Sequence, residues 1–167
     1  MPRRDWSALN KLQVGRYAEY FVKMEFASYG FQVFTSEVDD RGIDLVIRDD
    51  EGHFYEVQVK SVRGPGSAYV FATKTTAEGR PAFDPGNSAL YMALVLLEDG
   101  LDPAFFLIPA AAWKTPGGLF ADRDYGEPGQ SSRPEYGLNI SRRNQGQLDE
   151  YRFENVVDRL QGTGHRI

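Results

Sequence analysis

Apolar and polar positions alternate most regularly in Gly42–Lys60, GIDLVIRDDEGHFYEVQVK. Ile43, Leu45 and Ile47 alternate with Asp44, Val46 and Arg48, and Val57 and Val59 alternate with Glu56, Gln58 and Lys60. A period of two belongs to strands with one buried face, so the stretch is predicted to form two strands. The three-residue loop Asp50-Glu51-Gly52, with Gly52 in the left-handed position, joins them and pairs Asp49 with His53. Counting back from that pair sets Asp44 opposite Gln58. A slip of one residue would turn Asp44 into the core, so pattern and turn specify the same register. Asp44, Glu56, Gln58 and Lys60 are therefore expected on one face of a hairpin.

Around this hairpin the periodicity changes. From Trp6 to Tyr29 it is helical, with Val14, Ala18, Phe21, Val22, Phe26 and Tyr29 in one arc and Gly30 as the stop. Glu19 sits at the edge of that arc, aimed at the sheet. Phe31–Thr35 reads as a strand, and the loop Glu37–Gly42, with Asp39 and Asp40, leads into the Asp44 strand. Past Ser61-Val62-Arg63, the residues Gly64-Pro65-Gly66-Ser67 mark a sharp turn. Ala68–Ala72 is a further strand, and Pro81–Ser88 is a loop. The nearly continuous apolar run Ala89–Leu97 fits a strand covered on both faces. Ala104–Ile108 is another strand, and Ala110–Lys114 a helical turn. Thr115–Tyr136 is rich in Gly, Pro, Ser and Asp and is expected to be a long mobile loop. Asn139–Arg143 is a short extended segment. Asn144, with Gln147 three residues on, is expected to cap a last helix lined by Leu148, Tyr151, Val156, Val157 and Leu160. The expectation is one α/β domain over residues 1–160, a mixed central β-sheet flanked by helices, with a disordered tail at 161–167.

Composition narrows the chemistry. The 167 residues include no cysteine, which excludes thiolate catalysis and cysteine zinc sites. The two histidines, His53 in the hairpin turn and His165 near the end, leave little room for a Ser-His-Asp triad or a His-rich metal site. No apolar run reaches membrane-spanning length, and a cytoplasmic protein is expected. The net charge of −5 argues against coating nucleic acid by bulk attraction but leaves room for a local groove.

Asp44, Glu56 and the carbonyl oxygen of Gln58 are hard oxygen donors suited to Mg²⁺ or Mn²⁺, and the Val59 carbonyl adds another. Lys60 only donates hydrogen bonds, so it does not compete for a cation; it can hold water or stabilise growing negative charge. The set fits phosphodiester hydrolysis. The same alternation also describes the solvated face of an ordinary sheet, with Glu56 and Lys60 as an ion pair. Arg41, Arg63, Lys74 and Arg80 flank the strands as candidate phosphate contacts, with Arg142-Arg143 a further pair. Tyr17, Tyr20 and Tyr69 are candidate stacking platforms that also suit core or boundary packing.

Asp44, followed across the hairpin by Gln58-Val59-Lys60, resembles the PD-(D/E)XK nuclease superfamily, whose signature is an acid on one strand and acid-any-lysine on the next. The resemblance covers about Gly15 to Thr75, through GRYAEYFVKMEF, DDRGIDLVI and YEVQVKS. It is similar to the glutamine variant seen in intron-type homing endonucleases and uncharacterised bacterial nuclease-like domains. It implies a restriction-endonuclease-like core and cleavage of DNA with Mg²⁺ or Mn²⁺, with a homodimer for double-strand cutting. By this resemblance Asp44 is the principal metal ligand, Gln58 a ligand through its oxygen, Lys60 the holder of the attacking water, and Glu19 the helical acid. No proline precedes Asp44, and Gln58 replaces an acid, which Glu56 would offset. The alternative is a catalytically silent module of this fold that binds nucleic acid or a protein partner.

Overall fold

A computed structural model describes residues 4–38, 41–64 and 66–161. The expectations for Asp39, Asp40 and the tail from Gly162 lie outside the described residues, as does Pro65 of the expected turn.

Trp6–Ala8 is a separate 3-10 turn, and the first helix, α1, runs over Lys11–Ser28. The later start has a local cause in a reciprocal cap. The Asn10 side chain accepts from the Gln13 N–H at 3.0 Å, and the Gln13 side chain accepts from the Asn10 N–H at 2.9 Å. Val14, Ala18, Val22 and Phe26 form the buried face of α1. The chain then forms β1 (Gln32–Thr35), β2 (Leu45–Arg48), β3 (Phe54–Arg63), β4 (Ala68–Thr73), β5 (Leu90–Leu97), β6 (Ala104–Pro109), β7 (Phe120–Arg123) and β8 (Glu135–Ile140). A second helix, α2, covers Phe153–Leu160.

The central sheet has the order β1-β2-β3-β5-β6, antiparallel except for the parallel β3/β5 pair. On one face, α1 and α2 pack onto Leu45, Ile47, Val57, Val95 and Leu107. Stacked and edge-on rings of Phe26, Phe105 and Phe153 close that layer. The opposite face is covered by a second sheet of order β4-β8-β7, packed over Leu90, Met92, Leu94, Phe106 and Ile108. Burial on both faces is why β5 reads as a continuous apolar run. The architecture is a mixed α/β sheet with helices, as expected, and the second sheet is an addition.

That addition corrects two expectations. Thr115–Tyr136 is not one long loop: Leu119 is fully buried, and Phe120–Arg123 forms β7 against β8. A four-residue strand, Phe-Ala-Asp-Arg, set among Gly, Pro and Asp carries too weak a periodicity to be read locally. Asn144 does not cap the last helix either. Its side chain accepts from the Ser141 N–H and donates to the Asn139 carbonyl, and a 3-10 helix, Gln145–Tyr151, precedes α2.

The predicted β2/β3 hairpin has the expected register, with Leu45 opposite Val57 and Arg48 opposite Phe54. Gly52 has φ +92, and the Asp49 N–H donates to the His53 carbonyl. Asp49 is buried and anchors the turn by accepting from the His53 backbone N–H (2.8 Å) and the Tyr55 hydroxyl (3.2 Å), with the His53 ring 3.0 Å away. Burial opposes its ionisation, but the bonds from His53 and Tyr55 outweigh that and hold its carboxyl below the usual range. Burial and the neighbouring Asp49 push the Tyr55 hydroxyl up to about 12.

A depressed folded pKa contributes stability that is complete above the ordinary carboxylate value of about 4 and is lost as pH falls through the depressed value. Urea unfolding from neutral pH into acid should therefore show wild type losing stability below about pH 4 more steeply than Asp49→Asn. At neutral pH, Asp49→Ala should cost about 1–3 kcal/mol, because its donors lose their acceptor.

Candidate active site at the divergence of two strands

β3 is longer than its neighbour β2, and this mismatch builds the site. β2 pairs with β3 only over Phe54–Val57, whereas β5 pairs with it from Glu56 to Arg63. In an extended strand the N–H and C=O of one residue point to the same edge. Even-numbered β3 residues face β5, as the Glu56 N–H bonded to the Ala89 carbonyl shows. Odd-numbered residues face β2, and beyond Val57 they look into the space that β2 vacates.

Asp44 occupies that space. It lies just before β2, half-buried, and its N–H donates to the Val57 carbonyl at 3.1 Å, although Val57 is the register partner of Leu45. Two residues opposing one make a bulge, which bends the strand and interrupts its alternation. One consequence corrects the sequence reading: Ile43 does not share the helix-side face of Leu45 and Ile47 but packs against the second-sheet cluster. The other consequence concerns the candidate site. The Asp44 carboxylate accepts the Val59 N–H through Oδ2 at 2.6 Å, so the acid is fixed by the β3 backbone itself.

Gln58 is half-buried and lies close over Gly42. A Cβ built on Gly42 would sit 2.7 Å from Gln58 Nε2, and Gly42 has φ +75. Glycine is thus required twice, for a left-handed backbone and for the approach of the carboxamide. The sequence shows this glycine but not its partner. Lys60, also half-buried, follows two residues along β3 on the Gln58 face.

The other expected acids have other partners. Glu19, on α1, is paired with Arg16 at 2.5 Å. Glu56 accepts from Asn87 Nδ2 at 2.9 Å and so tethers the loop that leads into β5, a role for Asn87 that no motif announced. Among the described residues no three Asp, Glu, His or Cys side chains form a group able to hold a metal ion.

The candidate phosphate contacts divide. Arg41 and Arg80 are exposed. Arg63 donates to the Trp6 and Leu9 carbonyls, fastening the 3-10 turn to the end of β3. Lys74 bridges Asp122 and Asp124 (2.6 Å to the latter) and stands 4.6 Å from the Tyr136 ring, linking β4 to β7. Of the tyrosines, Tyr17 packs between Trp6 and Phe21, Tyr20 is exposed, and Tyr69 donates to Glu135 at 2.8 Å. Arg142 lines a cavity of about 250 Å³ with Val62, Leu96 and Gln145.

A mixed central sheet flanked by helices, in the order described above, is the restriction-endonuclease-like nuclease fold, and this chain has that fold. Among solved structures, it is similar to the bacterial homing endonuclease I-Ssp6803I, with 19% identity, a TM-score of 0.53, and coverage of 93% of this chain and 94% of the other. It is similar also to Hjc, a Holliday junction resolvase from Archaeoglobus fulgidus, with 14% identity, a TM-score of 0.50, and coverage of 91% and 98%. No protein-family profile and no curated protein matches the chain.

Gly42→Ala should displace Gln58 and strain the backbone, costing about 1–2 kcal/mol in urea unfolding. Asp44→Ala should cost about 1–3 kcal/mol by leaving the Val59 N–H without its acceptor, whereas Asp44→Asn, whose amide oxygen still accepts, should cost less than about 1 kcal/mol.

Proposed function

We propose that the chain is a metal-dependent endonuclease that hydrolyses DNA phosphodiester bonds, with Asp44, Gln58 and Lys60 as its working residues. The observation that carries this reading is the Asp44 carboxylate locked to the Val59 N–H at the divergence of β2 and β3. The Asp44 carboxylate is joined there by the Val59 carbonyl, which points to the same edge as the Val59 N–H. With the Gln58 carboxamide oxygen, these are hard neutral or anionic oxygens of the kind that hold Mg²⁺ or Mn²⁺. The donor set fits such an ion, which when bound would polarise the phosphoryl group and acidify water.

The chain's own residues supply the rest. Asp44 brings negative charge at a position set by two backbone hydrogen bonds, so its orientation costs nothing at the moment of reaction. Lys60, on β3, would hold the attacking water and stabilise charge building on the phosphoryl oxygens. Glu19 would join from α1 by releasing Arg16, and Arg41 and Arg80 would meet phosphates. Glu56, tied to Asn87, is better suited to positioning the β3 face than to ligation. Two copies would be needed to cut both strands of a duplex.

The alternative, a silent DNA-binding module, is favoured by one observation: among the described residues, Glu19 pairs with Arg16 and Glu56 accepts from Asn87, and neither is bonded to Asp44 or Gln58 in the hydrogen bonds and ion pairs described above. Cleavage of supercoiled and branched DNA in Mg²⁺ or Mn²⁺ separates the two. Wild type should cut and should stop when EDTA removes the metal. Lys60→Ala and Asp44→Asn should each lose about 10²-fold or more. DNA binding without cleavage, and no calorimetric Mg²⁺ binding that depends on Asp44, would establish the silent module instead.

A further inference from the structure

Even-numbered positions of β1, β2 and β3 share the sheet face that carries Gln58 and Lys60, since the odd-numbered Val33, Val57 and Val59 pack toward the helices. The second sheet covers this face over β5 and β6 but leaves it open toward β1. Two phenylalanines lie in the open part: Phe34 of β1 is 47% exposed and Phe54 of β3 is 55% exposed. Their rings are 6.2 Å apart at 43°. The Arg48 guanidinium stands 5.6 Å over the Phe54 ring and is held by a hydrogen bond of 3.0 Å to neutral Gln32. Phe34 lies on the edge strand β1 and Phe54 on the interior strand β3, and two half-exposed rings side by side beside a stacked cation offer π-faces that a flat ligand can cover.

Building on the nuclease reading of the Asp44 site, we propose that Phe34 and Phe54, with Arg48, form a stacking platform for unpaired bases, and that the substrate is DNA with a single-stranded segment beside the cut. Phe54 is four residues from Gln58 along β3, about 13 Å at strand rise, which is a few nucleotides from the scissile phosphate. Within a duplex the base faces are stacked on one another and only their edges and the phosphates are offered. An unpaired base presents its π-face to an aromatic ring, and this contact tolerates any sequence. Arg48 supplies a positive charge beside the ring for the adjoining phosphate. A duplex alone would find no use for the platform.

The test is binding, measured by fluorescence anisotropy in Ca²⁺ so that cutting does not intervene. One probe is a labelled duplex with a single-stranded thymidine flap, and the other is the same duplex with blunt ends. Phe34→Ala and Phe54→Ala should each weaken flap binding about tenfold, with blunt-duplex binding changed by less than about twofold. Phe54→Trp should retain flap binding. Because both rings are exposed, the variants should keep the wild-type urea midpoint. Equal loss on both probes, or no loss on either, would overturn the platform. So would a change in oligomeric state on Phe34→Ala by light scattering, which would assign the patch to a second copy. Lys60-dependent cleavage without flap preference would sink this inference alone, and flap preference without any cleavage would sink the nuclease reading alone.

Discussion

The hydrogen bond from the Val59 N–H to the Asp44 carboxylate is the contact on which the site depends. Where a short strand leaves a long one, the long strand is left with backbone donors and acceptors aimed at nothing, and a half-buried unpaired N–H is costly. Asp44 meets that need with a side chain instead of a backbone carbonyl. The same bond that completes the sheet thus fixes a carboxylate where the strands part, with Gln58 and Lys60 on the adjoining residues. The scaffold and the candidate site share one atom pair.

Everything nearby adapts to the divergence. The bulge at Asp44 reverses the side-chain alternation, sends Ile43 to the second-sheet core and allows Gly42 to take a left-handed conformation under Gln58. Arg63 and Glu56, both plausible site residues by type, serve to hold the ends of β3 in place, one through the carbonyls of the N-terminal 3-10 turn and the other through Asn87. A long β3 fastened at both ends keeps its middle residues rigid.

The hairpin register, the α1 core face and the buried β5 strand were legible because each is a local periodicity, and a turn with Gly52 fixes the count between Asp44 and Gln58. The bulge was not legible, since Asp44 bonding to Val59 changes no residue type in the pattern. The Arg16 partner of Glu19 stands three residues earlier on α1, a spacing that does encode a pair, whereas the partners of Glu56 and Lys74 come from distant loops that spacing does not encode. The second sheet escaped for another reason. β7 and β8 lie in a stretch of Gly, Pro and Asp whose strand character comes from pairing, not from propensity.

That second sheet also bears on how the chain is made. Among the described residues β4 pairs with β8 alone, Ala68 with Ile140 and Thr73 with Glu135, so its partner is synthesised only after the whole central sheet. At ordinary translation rates the interval is on the order of several seconds. During it, Ala68–Thr73, AYVFAT, is an uncharged, apolar strand without proline and without its ladder, the kind of segment that joins neighbouring chains on a crowded polysome. Arg63 with Gly64 and Gly66 before the segment, and Lys74 immediately after it, bracket it with charge and chain-breaking residues. In the nascent chain Lys74 is therefore a guard against cross-chain pairing, long before it becomes the bridge to Asp122 and Asp124.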